Sequence, residues 1–287
     1  VKTAQFLGLL AAVRRSAALV LLALLCGCLQ SPVHREQHGI VRADIEVQPC
    51  PDAGCQRERD EIYSLLAYAI VYKDWQTEAE FGTPAERGHN IGSVLVNPAG
   101  EVVFWARNCN AVTDDASQHG EVRLIRSFLV TQPALKYLDG YTIYTTLEPC
   151  AMCSGMMALT KVTRAVYGQV DPGYGRAIER LALDSARLTD PANPNFQGFK
   201  PYPRTFRSDL AATSTSQRLD EEYLKAGEAD ITRWLRTEAA RTIYAKASDQ
   251  LASYVPHHQA NAAALEIARQ LWTGVPDHYV PFKFDDP

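Results

Sequence analysis

Two short segments set the terms for what this chain can fold into. His119-Gly120-Glu121 opens the run HGEVRLIRSFLV, and Pro149-Cys150-Ala151-Met152-Cys153 contains the opening of the run CAMCSGMMALTKV. Both runs read as helices; in the first, Val122, Ile125, Phe128 and Leu129 share one face. Positions i and i+3 of a helix lie on one face, so the thiols of Cys150 and Cys153 converge on one point. Residues of metal-binding type at the starts of two separate helices demand a fold that brings those two helix N-termini together.

The surroundings indicate how. Glu61 to Trp75 has Ile62, Leu65, Leu66, Ala69 and Ile70 at helical spacing. NIGSVLVNPAGEVVFWARN reads as two short strands joined by a Pro-Ala-Gly turn. YTIYTTL and TRAVYGQV, rich in β-branched and aromatic residues, read as two more strands, one before and one after the CAMC helix. The order helix, hairpin, helix, strand, helix, strand predicts a layered α/β sheet. Beyond Asp171 the pattern changes. PANPNFQGFKPYPR reads as a long loop or an extended arm, and Leu219 to Tyr254 as helical, with Ile231, Trp234, Leu235 and Ala239 on one stripe. Pro256 breaks that run, and Ala260 to Trp272 reads as a further helix. This last third either packs on the α/β core or forms a small helical subdomain.

One His nitrogen and two thiolates supply three of the four tetrahedral positions that Zn²⁺ prefers. An open fourth position marks a catalytic site, where bound water loses a proton near neutral pH. Glu121 is then not a ligand: one residue past the opening Gly120, its carboxylate can take that proton and pass it to a substrate nitrogen, which is the shuttle hydrolytic deamination requires. The competing readings are a redox disulfide between Cys150 and Cys153, and a structural zinc completed by Cys109 or another histidine. His89, His257, His258 and His278 read as ordinary surface or packing residues.

With HGE, TTLEPCAMCSGMM and AVYGQVD in view, the chain resembles the zinc-dependent cytidine and deoxycytidylate deaminase superfamily. Within it the chain is most similar to the branch of tRNA adenosine deaminases, guanine deaminases and fungal cytosine deaminase. The resemblance runs from about Glu61 to Arg180. It implies a three-layer α/β/α sandwich with a mixed central sheet, here with a mainly helical C-terminal extension. It also implies Zn²⁺ held by His119, Cys150 and Cys153, and Glu121 as the catalytic shuttle. Asn108, eleven positions before His119, matches the asparagine that hydrogen-bonds the substrate base in that branch; an asparagine there also suits a strand or turn cap. Many relatives have H-A-E where this chain has H-G-E, and Gly120 is expected to leave room beside the metal.

The N-terminal segment belongs to targeting. Lys2, Arg14 and Arg15 precede the apolar run SAALVLLALL, which is too short for a spanning helix of about 20 residues and suits a signal peptide. It leads into Leu25-Cys26-Gly27-Cys28, which resembles a bacterial lipobox with Cys28 as the lipidated residue; an ordinary signal peptide and a short buried helix are the alternatives. The expected organisation is a signal peptide over 1–27, a lipid-anchored tether over 28–57, a catalytic domain over 58–185 and the helical extension over 186–287. Cys50 and Cys55 lie in the tether. In an oxidising compartment a small-loop disulfide is their leading reading, and a second metal site lacks nearby ligands.

The expected function is therefore deamination of a nucleobase or nucleoside at the bacterial cell envelope, with the membrane as partner through the anchor. Two other readings stay open: a non-catalytic zinc-binding lipoprotein that engages a partner, and a nucleic-acid editing deaminase. The segment FKPYPRTFR interleaves cations and aromatics, but the net charge of −4 gives no global attraction to nucleic acid. An arm over a groove, or a contact within a homodimer, is the preferred role for it.

Overall fold

The computed structural model describes residues 45–181, 191–193, 195, 207–211 and 213–278. The signal-peptide region, Cys28, most of the tether and nearly all of FKPYPRTFR lie outside them.

Asp52 starts the first helix, α1 (Ala53–Tyr72), by accepting a hydrogen bond from Cys55 N at 2.9 Å, which satisfies one of the helix's orphan donors. Cys50 and Cys55 are disulfide-bonded across this start. The helix thus begins inside the segment expected to be tether. Its first turns are fixed by contacts that spacing alone does not reveal: Glu58, 7% exposed, accepts from His258 N at 3.0 Å and Asn261 Nδ2 at 2.7 Å.

The hairpin follows as β1 (Gly92–Val96) and β2 (Val102–Arg107). Gly100 sits at φ 84° in its turn, where Gly100 N donates to Asn97 O at 2.9 Å. Then come α2 (Gly120–Thr131), β3 (Thr142–Thr145), α3 (Ala151–Leu159), β4 (Arg164–Tyr167) and the short α4 (Ala177–Leu181). A fifth strand, β5 (Arg207–Leu210), completes a sheet of order β2-β1-β3-β4-β5. β1 runs antiparallel to β2 and β3, whereas β3, β4 and β5 are parallel. The sheet is mixed, as expected.

The register explains why both faces of this sheet are apolar. Val94 pairs with Trp105 and Tyr144, and Tyr144 with Val166; all four belong to the buried cluster under α1. One residue along, Leu95 pairs with Phe104 and Ile143, and Ile143 with Ala165; these pack in the other cluster with Leu124, Ile125 and Met157 of α2 and α3. A strand's period of two thus feeds two helix layers.

The C-terminal third forms α5 (Ser214–Ala226), α6 (Ile231–Trp234), α7 (Glu238–Ser253) and α8 (Ala262–Gly274). It is not one continuous helix from Leu219 to Tyr254. Gly227, left-handed at φ 62°, ends α5, and Asp230 and Thr237 start new helices with their side chains. Each restart resets the helical phase, so Ala240 is buried and Ala239 exposed. These helices share the core of α1: Trp234, Tyr244, Leu251 and Leu271 lie in the same cluster as Leu66 and Val94. Tyr244 meets Tyr68 edge-on at 5.0 Å and Trp75 at 5.1 Å. That cover makes α1 buried on nearly every side, from Ile62 to Val71.

β5 was not anticipated because Arg207-Ser208-Asp209-Leu210 has no apolar alternation. A tertiary ion cluster ties it to the sheet: Arg164 makes a bidentate pair with Asp60 of α1 at 2.7 Å and reaches Asp209 Oδ2 of β5 at 2.7 Å. Tyr144 donates to the same Asp60 at 2.7 Å. A tight contact nearby offers a test of the packing. A Cβ on Gly168 would overlap the Tyr68 hydroxyl and lie 2.6 Å from Tyr68 Cζ. Gly168→Ala is expected to lose about 1–3 kcal/mol of stability, and Tyr68→Phe in the same chain to restore part of it. Chemical denaturation of the two variants checks this, and equal stability of Gly168→Ala and wild type would refute the contact.

Candidate active site

His119 and Cys150 occupy equivalent places. Each is the residue just before a helix, α2 or α3, with extended backbone angles, and neither side chain caps its own helix. Both side chains are used instead on one another and on Cys153. His119 Nδ1 lies 3.7 Å from Cys150 Sγ and 3.6 Å from Cys153 Sγ, and the two sulfurs are 3.6 Å apart. Ligands at about 2.0–2.3 Å in a tetrahedron around one Zn²⁺ stand roughly 3.5–3.8 Å from one another. The three side chains therefore form a potential metal site of the right dimensions. Cys109 is not part of it; its buried Sγ donates to Arg107 O at 3.6 Å.

The charges agree. The hydrogen bond from Cys153 pulls the Cys150 thiol down to about 4, against its burial and with help from His119. Cys153, which gives that bond and is buried, is pushed far above the usual thiol range. The two sulfurs thus share one proton through the hydrogen bond between them. A dication would take the place of that proton and let both serve as thiolates. The positive ends of α2 and α3 act in the same sense.

Glu121 is the second residue of α2, within its first turn, and is buried at 3% exposure. Its Oε1 accepts from Thr145 Oγ1 at 3.3 Å, whereas the buried Oε2 has no hydrogen-bond partner of good geometry among the described residues, although the Cys153 thiol bears on the carboxyl as a donor. Burial, before all else, raises its pKa. The β-sheet register sets this pair: Thr145 follows Ile143 on the α2 face and stands at the end of β3.

Asn108 is fully buried. Its Oδ1 accepts from Gly120 N at 2.6 Å, so it supplies to α2 the cap that His119 does not. Its Nδ2 is a buried donor without a partner. Gly120 faces Asn108, Gly92 and Ser93, each within 3.4 Å of where a Cβ would stand. The missing side chain therefore leaves room for the Asn108 cap.

His119, Glu121 and Cys150 line a cavity of about 420 Å³, whereas Asn108 and Cys153 lie behind its wall. Sequence reasoning missed much of its wall. His89, read as an ordinary packing residue, lines it, as do Asp171, Tyr174 and, from α6, Thr232. Glu148 is a positioning residue: its carboxylate accepts from Asp171 N at 3.1 Å and Arg176 N at 2.8 Å and so holds the 171–176 turn over the opening. Its place directly before Pro149-Cys150 was the one available signal. The zinc site makes a direct expectation: the protein purifies with about one zinc per chain, and Cys153→Ala loses it. Elemental analysis decides, and a folded, active, metal-free protein would refute the site.

The family described as "Cytidine and deoxycytidylate deaminase zinc-binding region" matches residues 71–169. The tRNA-specific adenosine deaminase of Aquifex aeolicus is 30% identical over 120 residues, covering 42% of this chain and 76% of that protein. A tRNA(Ile)-lysidine synthase of Deinococcus deserti is 34% identical over 85 residues, 30% of this chain and 16% of that one. The chain thus spans most of the first relative and a small part of the second. The solved structure of guanine deaminase from Bacillus subtilis aligns with a TM-score of 0.30 at 18% identity, over 50% of this chain and 84% of that one. The chain belongs to the zinc-binding family of cytidine and deoxycytidylate deaminases.

Proposed function

We propose that this protein is a zinc-dependent hydrolytic deaminase of a nucleobase or nucleoside. The observation that carries the reading is the buried carboxyl of Glu121, which lines the cavity with His119 and Cys150 and whose Oε2 has no hydrogen-bond partner of good geometry among the described residues. A buried carboxylate oxygen left without a hydrogen bond costs stability, and a binding module has no use for it. In a deaminase the water oxygen becomes the new carbonyl and the amino group leaves as ammonia, so protons must move from one to the other. Zinc held by His119, Cys150 and Cys153 would lower the pKa of bound water to about 7. Glu121 takes the two protons of the incoming water in succession and delivers one to the ring nitrogen and the other to the departing amine. Its raised pKa suits both accepting and releasing. Thr145 steers its other oxygen. Ile91, Leu147 and Met152 supply apolar wall for the ring of the base, and Asn108, which the family resemblance assigns to the base, lies buried behind that wall with Nδ2 unpartnered among the described residues.

The names of the relatives favour a second reading, adenosine within tRNA, because that is what the Aquifex aeolicus relative is named for. The two are separated by measuring ammonia release from bases, nucleosides and adenosine-containing tRNA. In either case Glu121→Gln, which keeps the shape and removes the base, should retain zinc and lose activity by roughly 10²-fold or more. Turnover near that of wild type in this variant would give Glu121 another task.

The reading includes export on a lipid anchor at Cys28. It is supported by the N-terminal sequence and by the Cys50–Cys55 disulfide, which belongs to an oxidising compartment. Cys28→Ser should leave an unprocessed precursor or release the protein from membranes, as detergent partitioning would show. Unchanged membrane association would remove the lipobox.

A further inference from the structure

The catalytic cavity adjoins a second chamber of about 580 Å³. The two share His89, Asp171, Tyr174 and Thr232. Resting on the deaminase reading above, we propose that the outer chamber receives the sugar of a nucleoside. The substrate is then an unphosphorylated nucleoside, neither a free base nor a 5′-nucleotide.

The argument begins with where the polar groups stand. The inner chamber holds the chemistry, at His119, Cys150 and Glu121. The outer chamber lies between the turn at Asp171–Tyr174 and the segment Ala229–Thr232 of the C-terminal third. A free base seated at Glu121 would gain nothing from Asp230, whereas a group attached to the base would reach it.

The chemistry of that wall is specific. Asp230 Oδ1 is committed to the start of α6, accepting from Thr232 N at 2.8 Å, Thr232 Oγ1 at 2.8 Å and Arg233 N at 3.3 Å. Asp171 Oδ1 is likewise committed to its own turn, accepting from Gly173 N and Tyr174 N at 2.9 Å. The second oxygen of each carboxylate is left for a ligand, and a carboxylate oxygen accepts. Thr232 gives its proton to Asp230, so its hydroxyl also faces a ligand as an acceptor. The group that answers such acceptors is a neutral donor, which a sugar hydroxyl is and a phosphate near neutral pH is not.

Charge points the same way. Among the described residues lining the two chambers there is no lysine or arginine, while Glu148, Asp171 and Asp230 are all acidic. The arginines close by are paired: Arg236 with Glu78 at 2.7 Å, Arg176 with Glu179 at 2.6 Å, and Arg233 with Glu228 at 3.8 Å. His89, whose burial lowers its pKa with Arg236 and His119 adding to the effect, offers a neutral ring rather than a cation. A 5′-phosphate placed here meets the acidic wall, and Arg236, the cation that acts on Asp230 and His89, is already paired with Glu78, which selects against the phosphate.

The test uses the full-length zinc-loaded protein and nine compounds: cytosine, guanine and adenine, each as base, nucleoside and 5′-monophosphate. For the preferred base, kcat/KM of the nucleoside should exceed that of the free base and of the monophosphate by about tenfold or more. Asp230→Asn keeps the oxygen that starts α6 and removes the charge. It should narrow the deficit of the monophosphate by about threefold or more, with zinc content and melting temperature showing that the variant is folded. A free base or a monophosphate turned over as well as the nucleoside overturns the sugar chamber and leaves the deaminase reading standing. An unchanged ratio in a folded Asp230→Asn also overturns it, and so does turnover confined to tRNA. No turnover of any of these compounds or of adenosine-containing tRNA removes the deaminase reading and this inference together.

Discussion

The site depends on two helix N-termini whose leading residues do not cap them. An ordinary α-helix satisfies its first donors with the side chain at the position before it. Here those positions are His119 and Cys150, and both are turned toward the metal-binding point. The fold makes up the loss at α2 by burying Asn108 at the end of β2, where its Oδ1 caps Gly120 N. That works only if residue 120 has no bulky side chain, since Asn108, Gly92 and Ser93 already crowd it. Ligand, cap and glycine are thus one arrangement. The sheet supplies the geometry: β2 ends at the residue before Asn108, and β3 delivers Thr145 to Glu121 and the chain to Cys150.

The C-terminal third is part of the same arrangement. Asn90, beside the cavity residue His89, donates to Gln76 O at 2.7 Å and to Leu235 O at 3.0 Å. The loop carrying His89 is therefore fastened to the end of α6, the helix that carries Thr232. Arg236 adds an ion pair with Glu78 and stacks over Phe81 at 3.8 Å. Beneath this, Arg87 pairs with Asp74 at 2.7 Å and donates to Asn108 O. A chain of hydrogen bonds and ion pairs thus runs from the α2 cap through Arg87, Gln76 and Asn90 to the C-terminal helices. Losing the last third would strip apolar cover from α1 and remove one wall of the cavity.

What the sequence made legible follows from this. Periodicity reports burial on one face, so the hairpin, α2, α3 and the strands flanking them were readable, with their two-faced apolar pattern. The ligand set was readable because chemistry restricts it to few residue types at fixed spacing. β5 was not, since Arg164 and parallel pairing with β4 hold it in the sheet, not its own apolar content. The rim residues were not either. His89 and Thr232 come from segments far apart in sequence, and nothing local distinguishes a histidine at a cavity from one on a surface. The start of α1 was masked by Cys50, Pro51 and Gly54, which read as tether, while its anchoring partners Glu58 and Asn261 are joined only in the folded chain.

The cysteines show how one chain can hold two oxidation states side by side. Cys50 and Cys55 are joined, with Cα atoms 5.4 Å apart, and their loop lies against Asn261, whose Nδ2 donates to Cys55 O at 2.9 Å. Cys150 and Cys153 are close enough to react, at 3.6 Å between sulfurs, and the depressed Cys150 thiol is the stronger nucleophile at neutral pH. In an oxidising compartment this second pair is the more vulnerable one, and its oxidation would consume both sulfur ligands. Zinc binding and survival of the reduced pair are therefore coupled: coordination withdraws both thiolates from exchange, and oxidation in turn removes the affinity for metal. The chain's exported reading and its metal reading support each other only if metal reaches the site before oxidant does.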